Sequence, residues 1–162
     1  MNVTRSRSAA LSLCLALAGS AALAAEDPFI GTWVLNAAKS QFPPGAQPDS
    51  TTIVVSDAGD GMLKSVSDTS TGGLTIHGEV TFAVDGKDYT PVSTPPPPPG
   101  ATVTQSSERI GERAYKTSIK MNGEVAVTML SEVSVDGKTL TISSASAGAA
   151  TGVTSVMVLD RK

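Results

Sequence analysis

The stretch "RAYKTSIKMNGEVAVTMLSEVSVDGKTLTISS", residues 113–144, indicates the fold class of this 162-residue chain. Apolar and polar residues alternate along it, as they do along strands with one buried and one solvated face. Asn122-Gly123 and Asp136-Gly137 interrupt the alternation, and both pairs favour the positive φ angles of tight two-residue hairpins. The stretch therefore predicts three consecutive antiparallel strands.

The same alternation extends along the chain in both directions. It recurs in "TTIVVSD" (51–57), in "LTIHGEVTFAVDG" (74–86) and in the final "GVTSVMVLDRK" (152–162). In the second of these runs, five apolar residues share one face of the predicted strand, namely Leu74, Ile76, Val80, Phe82 and Val84. Asp85-Gly86 is predicted to close a further hairpin. Helical periodicity is confined to one short turn in "NAAKSQF" (36–42), with Asn36 as its cap.

These patterns predict one all-β domain over residues 26–162. Many antiparallel strands with short connections form a sandwich or a closed barrel. Consecutive hairpins favour an antiparallel up-and-down β-barrel of about eight to ten strands, a fold that leaves no exposed sheet edges.

Residues 1–25 have the layout of a secretory signal peptide. Arg5 and Arg7 precede the apolar run "AALSLCLALAGSAALA" (9–24), which ends in small residues and is shorter than the roughly 20 residues of a membrane anchor. We expect cleavage after Ala24 or Ala25 and a mature protein that is periplasmic or secreted. Cys14 is the sequence's single cysteine, so the mature chain is predicted to contain neither a disulfide nor a thiol nucleophile.

The charged residues argue against several classes of function. The net charge is −3, and the basic residues are dispersed, whereas nucleic acids and anionic membranes require clustered Lys and Arg. His77 is the only histidine and lies on the polar face of its predicted strand, and zinc requires three or four protein ligands. No nucleophile-elbow motif is present. We therefore predict no metal, no cofactor and no enzymatic activity.

Two residues are weak candidates for ligand binding. Arg113 and Tyr115 share a strand face with Ile119 and Met121, and the two apolar residues suggest that this face points inward. Arg113 and Tyr115 could then hold a carboxylate through a guanidinium fork and a hydroxyl donor. The alternative is that Arg113 lies at the strand end and is solvated.

The segment "TPPPPPG", residues 94–100, is the one low-complexity element of the mature chain. Five prolines, Pro95 to Pro99, favour polyproline II and cannot donate backbone hydrogen bonds to a sheet. They form either a docking site for a proline-recognising partner or a stiff loop between two strands. We expect the loop.

The motif "GTWVLN", residues 31–36, follows the predicted signal peptide and resembles the opening of the lipocalins and the wider calycin superfamily. Gly31 and Trp33 match the Gly-x-Trp that begins the first barrel strand in that family. The resemblance implies that Trp33 closes one end of the barrel and packs against an arginine near the end of the chain, for which Arg161 is the candidate. The chain departs from the central lipocalins in lacking a Thr-Asp-Tyr motif, a cysteine pair and a helix after the last strand. Its "GTW…LN…KS" opening is also similar to that of small exported bacterial proteins of unknown function.

The resemblance implies that a small apolar or amphipathic molecule binds inside the barrel. Barrels of about eight strands either enclose one small ligand or are filled by side chains. The alternative function is therefore a non-enzymatic interaction or structural domain of the cell envelope with a filled core. A third hypothesis, an unrecognised enzyme, requires a polar constellation inside the barrel that involves His77, Arg113 or Tyr115.

Overall fold

The computed structural model describes residues 26–148 and 155–162, so the predicted signal peptide lies outside the described residues. Within these two ranges, eleven strands form one antiparallel sheet. The strands are β1 (Gly31–Leu35), β2 (Ser50–Gly59), β3 (Met62–Thr71), β4 (Leu74–Phe82), β5 (Asp85–Tyr89), β6 (Val92–Thr94), β7 (Val103–Gly111), β8 (Ala114–Met121), β9 (Glu124–Val133), β10 (Thr139–Ser146) and β11 (Ser155–Arg161).

The sheet curls into an up-and-down barrel, as the hairpin pattern predicts. Its strand order is β5-β7-β8-β9-β10-β11-β1-β2-β3-β4-β6, so two runs of neighbouring strands are joined where β1 pairs with β11. The register at this junction sets Trp33 opposite Arg161 on one side and Ile53 on the other. The first and last strands of the chain therefore meet in the middle of the sheet.

The strand count exceeds the predicted eight to ten because two short strands, β5 and β6, lie where a turn and a proline break were expected. The hairpin predicted at Asp85-Gly86 is wrong, since β5 begins at Asp85 and pairs with β7 instead of β4. Gly86 has a φ of 78°, and the β5–β7 register shifts between Asp85 and Asp88. An irregularity of this kind bends a strand without reversing it.

The predicted absence of sheet edges is also wrong. The described residues include two edge strands, β5 and β6, which are consecutive in the chain and joined by Thr90 and Pro91. We call this place the seam. β5 pairs with β7 and β6 with β4, and Pro91 between them has no backbone N–H to donate.

Of the two turns that flank β9, one has the predicted form and the other is longer than predicted. Asn122 and Gly123 have φ angles of 53° and 85°, and they form the predicted two-residue connection between β8 and β9. The connection between β9 and β10 spans residues 134–138, and only Gly137 within it has a positive φ, of 70°. The predicted helical turn is present as a 3-10 helix over Ala37–Lys39, capped by the Asn36 side chain.

The apolar core lies at one end of the barrel, where β1 begins and β11 finishes. Phe29, Trp33 and Leu159 are fully buried there, and Phe82 and Leu140 are almost so. The predicted apolar face of β4 is buried only over its second half, since Leu74 and Ile76 are 56% and 48% exposed. Those two residues lie at the opposite end of the barrel, beside the β3–β4 turn. None of the helices in the described residues has the length and apolarity needed to cross a membrane.

Candidate functional site

A cavity of about 290 Å³ lies inside the barrel, because several inward positions carry small side chains. On β3 the inward residues Ser65, Ser67 and Thr69 alternate with outward Lys64, Val66 and Asp68, so small hydroxyl side chains take the inward positions that apolar residues usually occupy. On β4 the inward position opposite Ser67 is Gly78, which has no side chain. These small residues leave space that larger apolar side chains would fill.

The remainder of the cavity wall is mainly apolar. Phe82 and Tyr115 lie on the side toward the buried core and contact each other edge-on, with ring centroids 6.2 Å apart. The other apolar wall residues come from six strands and from the seam: Ile53, Val55, Val80, Pro91, Ile119, Met129, Leu140, Ile142 and Met157. A concave, largely apolar space with a few polar groups is the usual form of a small-molecule site.

The polar groups of the wall are almost all neutral. They are the hydroxyls of Thr51, Ser65, Ser67, Thr69, Tyr115, Thr117 and Ser131 and the amide of Gln105. The buried Thr117 hydroxyl is paired with that of Ser107 at 2.9 Å, whereas the buried Thr51 Oγ1 has no hydrogen-bond partner among the described residues. Glu79 is the one charged wall residue, and its carboxylate forms an ion pair with Lys64 at 2.8 Å, where both side chains are about 40% exposed.

Beneath the cavity, a layer of aromatic residues separates it from the end of the barrel. The Phe29 ring lies 4.3 Å from that of Tyr115, and the Phe29 carbonyl accepts a hydrogen bond of 2.9 Å from Trp33 Nε1. Trp33 is fully buried but does not line the cavity.

The Arg161 guanidinium lies over the Trp33 ring, 4.1 Å from its centroid. It also donates hydrogen bonds to the carbonyls of Gly137, Ile30 and Pro28 at 2.6–2.7 Å. Gly31 makes room for it, because a Cβ atom at that position would stand 2.3 Å from Arg161 Nη1. The Gly-x-Trp motif and the terminal arginine thus form one contact at the closed end.

Tyr115 is the predicted candidate that does line the cavity. Burial raises the pKa of its hydroxyl to about 12, an effect that a hydrogen bond with Ser131 partly offsets. The group is therefore a neutral hydroxyl throughout the physiological range.

Arg113, the other predicted candidate, does not line the cavity. It precedes β8, its side chain is 40% exposed, and its guanidinium lies 4.0 Å from the Glu112 carboxylate. The turn between β7 and β8 directs it to solvent, so the structure does not bring Arg113 and Tyr115 together around a ligand.

The remaining singled-out residues also lie outside the cavity. His77 Nδ1 is 2.8 Å from Asp68 Oδ1 on the outer surface, where both side chains are about half exposed. Pro95 to Pro99 connect β6 to β7, and none of them is a wall residue. The described residues contain no cluster of three or more His, Cys, Asp or Glu that could hold a metal ion.

Sequence reasoning missed the residues that create the cavity. Ser65, Ser67 and Thr69 belong to "MLKSVSDTST". Because the apolar Val66 of this strand faces outward, alternation alone does not show which face points into the barrel. The available signal was an unbroken alternation of small hydroxyl residues at every second position, together with a glycine inside the neighbouring strand.

Comparison with known proteins supports the fold. Fatty-acid-binding protein 1 of Echinococcus granulosus superimposes with a TM-score of 0.56 at 16% sequence identity, covering 84% of this chain and 98% of that one. Rv2717c from M. tuberculosis gives a TM-score of 0.48 at 16% identity, covering 83% and 93% of the two chains. No family model and no curated protein matches the sequence. The likeness is one of architecture: the chain shares the antiparallel β-barrel fold of the fatty-acid-binding protein.

Proposed function

We propose that this protein is an exported carrier that holds a small apolar or amphipathic molecule inside its barrel. The observation that carries the proposal is the internal cavity of about 290 Å³, with its mainly apolar wall and scattered hydroxyls. Its volume is at the lower end of the roughly 300–1,000 Å³ typical of ligand sites, which favours a small ligand. A filled barrel core, the alternative function, would leave no such space.

The export part of the proposal depends on residues 1–25, with their basic start, apolar run and small-residue ending. Mass spectrometry of the protein recovered from the native host's envelope or medium tests it. We expect a mature chain that begins at Ala25 or Glu26. Recovery of the full-length chain from the cytoplasm would contradict export and leave the binding proposal standing.

The binding proposal is tested by filling the cavity. Gly78 has no positive φ, and a Cβ there would meet only the flexible Ser67 Oγ, at 3.0 Å, so a side chain is tolerated by the backbone. Gly78→Leu places an isobutyl side chain inside the barrel. Thr81→Leu adds the same group on the exposed outer face of the same strand and is the matched control.

Binding is measured with N-phenyl-1-naphthylamine, an uncharged probe whose fluorescence increases in apolar surroundings. We expect saturable 1:1 binding to the parent protein and to Thr81→Leu, and affinity lowered by about tenfold or more in Gly78→Leu. Ser67→Leu, on the neighbouring strand, should act like Gly78→Leu if the latter folds poorly. Absence of binding to the parent protein, or unchanged binding to both filled variants, would refute the proposal.

A further inference from the structure

The charges around the cavity place a constraint on its ligand. No wall residue of the described chain is a Lys, Arg or His, and the one acidic wall residue, Glu79, is already paired with Lys64. An anion that entered this space would lose part of its hydration and find no cation to replace it. Burying a charge without a partner is strongly unfavourable.

Three arginines near the closed end are engaged elsewhere. Arg109 forms a close ion pair with Asp27, and its guanidinium lies 5.7 Å from the Phe29 ring centroid. Arg161 is held by three carbonyl oxygens over Trp33, and Arg113 lies beside Glu112 at the surface. The aromatic layer of Phe29 and Tyr115 lies next to these groups, and none of the three arginines lines the cavity.

In place of charges, the wall offers neutral hydrogen-bonding groups. Ser65, Ser67 and Thr69 present hydroxyls from β3, and Gln105 adds an amide from β7. Thr51, beside Thr69 in the sheet, has a buried hydroxyl without a partner among the described residues. An unpaired buried hydroxyl is destabilising, and a hydroxyl or carbonyl group is the kind of ligand group that satisfies it.

We propose that the cavity selects uncharged amphiphiles, molecules with a hydrocarbon body and one hydroxyl, ester or amide group, and discriminates against carboxylates. This inference rests on the proposed binding function and specifies its ligand class. The cavity holds the volume of roughly ten water molecules, which suits a chain of about ten carbon atoms.

A matched ligand series tests the proposal on the parent protein. 1-Decanol, methyl decanoate and decanoate have the same chain and differ in the head group, and only decanoate is charged at neutral pH. Each is used to displace N-phenyl-1-naphthylamine below its solubility limit. We expect the alcohol and the ester to displace the probe at concentrations at least about tenfold lower than decanoate.

A charge-gain variant tests the reason for the selection. Gln105→Arg introduces a cation into the wall, so decanoate should bind about tenfold more tightly to this variant while 1-decanol changes little. The selection would be overturned if decanoate displaced the probe from the parent protein as readily as 1-decanol. It would also be overturned if folded Gln105→Arg gave decanoate no advantage.

The outcomes separate the two proposals. If the probe itself fails to bind the parent protein, the carrier function is refuted and the ligand class with it. If the probe binds and decanoate competes as well as the neutral ligands, the carrier function stands and the preference for uncharged ligands is wrong.

Discussion

Arg161 connects the last strand of the chain to the segment that precedes the first. Its guanidinium covers the buried Trp33 ring and bonds to the carbonyls of Pro28, Ile30 and Gly137. A cation over an aromatic face contributes about 0.5–2 kcal/mol, depending on how far it is shielded from water. The fork geometry of the guanidinium is what allows one side chain to reach all three carbonyls.

Replacing Arg161 with Ala should therefore lower the free energy of unfolding by about 1–2 kcal/mol and shift the Trp33 emission to longer wavelength. Urea unfolding followed by tryptophan fluorescence measures both effects. Arg113→Ala, at the β7–β8 turn where the side chain is 40% exposed, is the control and should leave both unchanged. An Arg161→Ala protein with the parent's emission and midpoint would show that the pair does not close the barrel.

Because of Tyr115, the free energy of unfolding is expected to decrease at alkaline pH. Its pKa of about 12 in the folded protein exceeds the value of about 10 for an unfolded chain, so the folded state holds this proton more tightly. Its contribution is complete below about pH 10 and is lost as the pH rises toward 12.

We expect urea midpoints to fall across this alkaline range and to fall less in Tyr115→Phe. Phenolate absorbance should show one tyrosine titrating late in the folded protein. Equal slopes in the parent and in Tyr115→Phe would mean that the hydroxyl is not desolvated.

At the scale of elements, the β8–β9 hairpin is fixed by its turn. Gly123 has a φ of 85°, a conformation that costs a residue with a Cβ roughly 1–2 kcal/mol. Gly123→Val should lower stability by about this amount in chemical denaturation, whereas Glu124→Val, the next and exposed position on β9, should have little effect. Equal losses in both variants would indicate that the added apolar group, rather than the turn, is responsible.

The hairpins show how far the sequence predicts this fold. Alternation and turn residues predict β8, β9 and β10 because each signal depends on a few neighbouring residues. Asp85-Gly86 carries the same signal as Asn122-Gly123, yet β5 pairs with β7, since the pairing is decided by distant strands.

The site was less predictable than the fold because it, too, depends on strands that are distant in the sequence. Tyr115 lies inside the barrel in the predicted phase, but the exposure of Arg113 depends on where β8 begins. The cavity depends on how much volume several strands leave together, and no single strand carries that information. The position of Trp33 opposite Arg161 was expected from the family resemblance and not from alternation.

For the whole molecule, the pairing of β1 with β11 makes the C-terminal strand indispensable. β11 lies between β10 and β1, so removing residues 155–162 would leave both of these strands unpaired on one side and expose Trp33. We expect this truncated chain to be insoluble or unfolded by circular dichroism. Replacing Pro95 to Pro99 with Gly and Ser alters no strand and should preserve the fold. A soluble, cooperatively unfolding truncated chain would contradict this account of the sheet.

The seam has a consequence for how copies of the protein behave toward one another. Unpaired strand edges recruit further strands, and such recruitment begins aggregation. Here β5 carries the charged sequence "DGKDY", and β6 is three residues long and is followed by five prolines that cannot extend it. We therefore expect the proline segment to have a role that needs no binding partner: because it cannot extend β6, it should limit edge-to-edge polymerisation at high concentration.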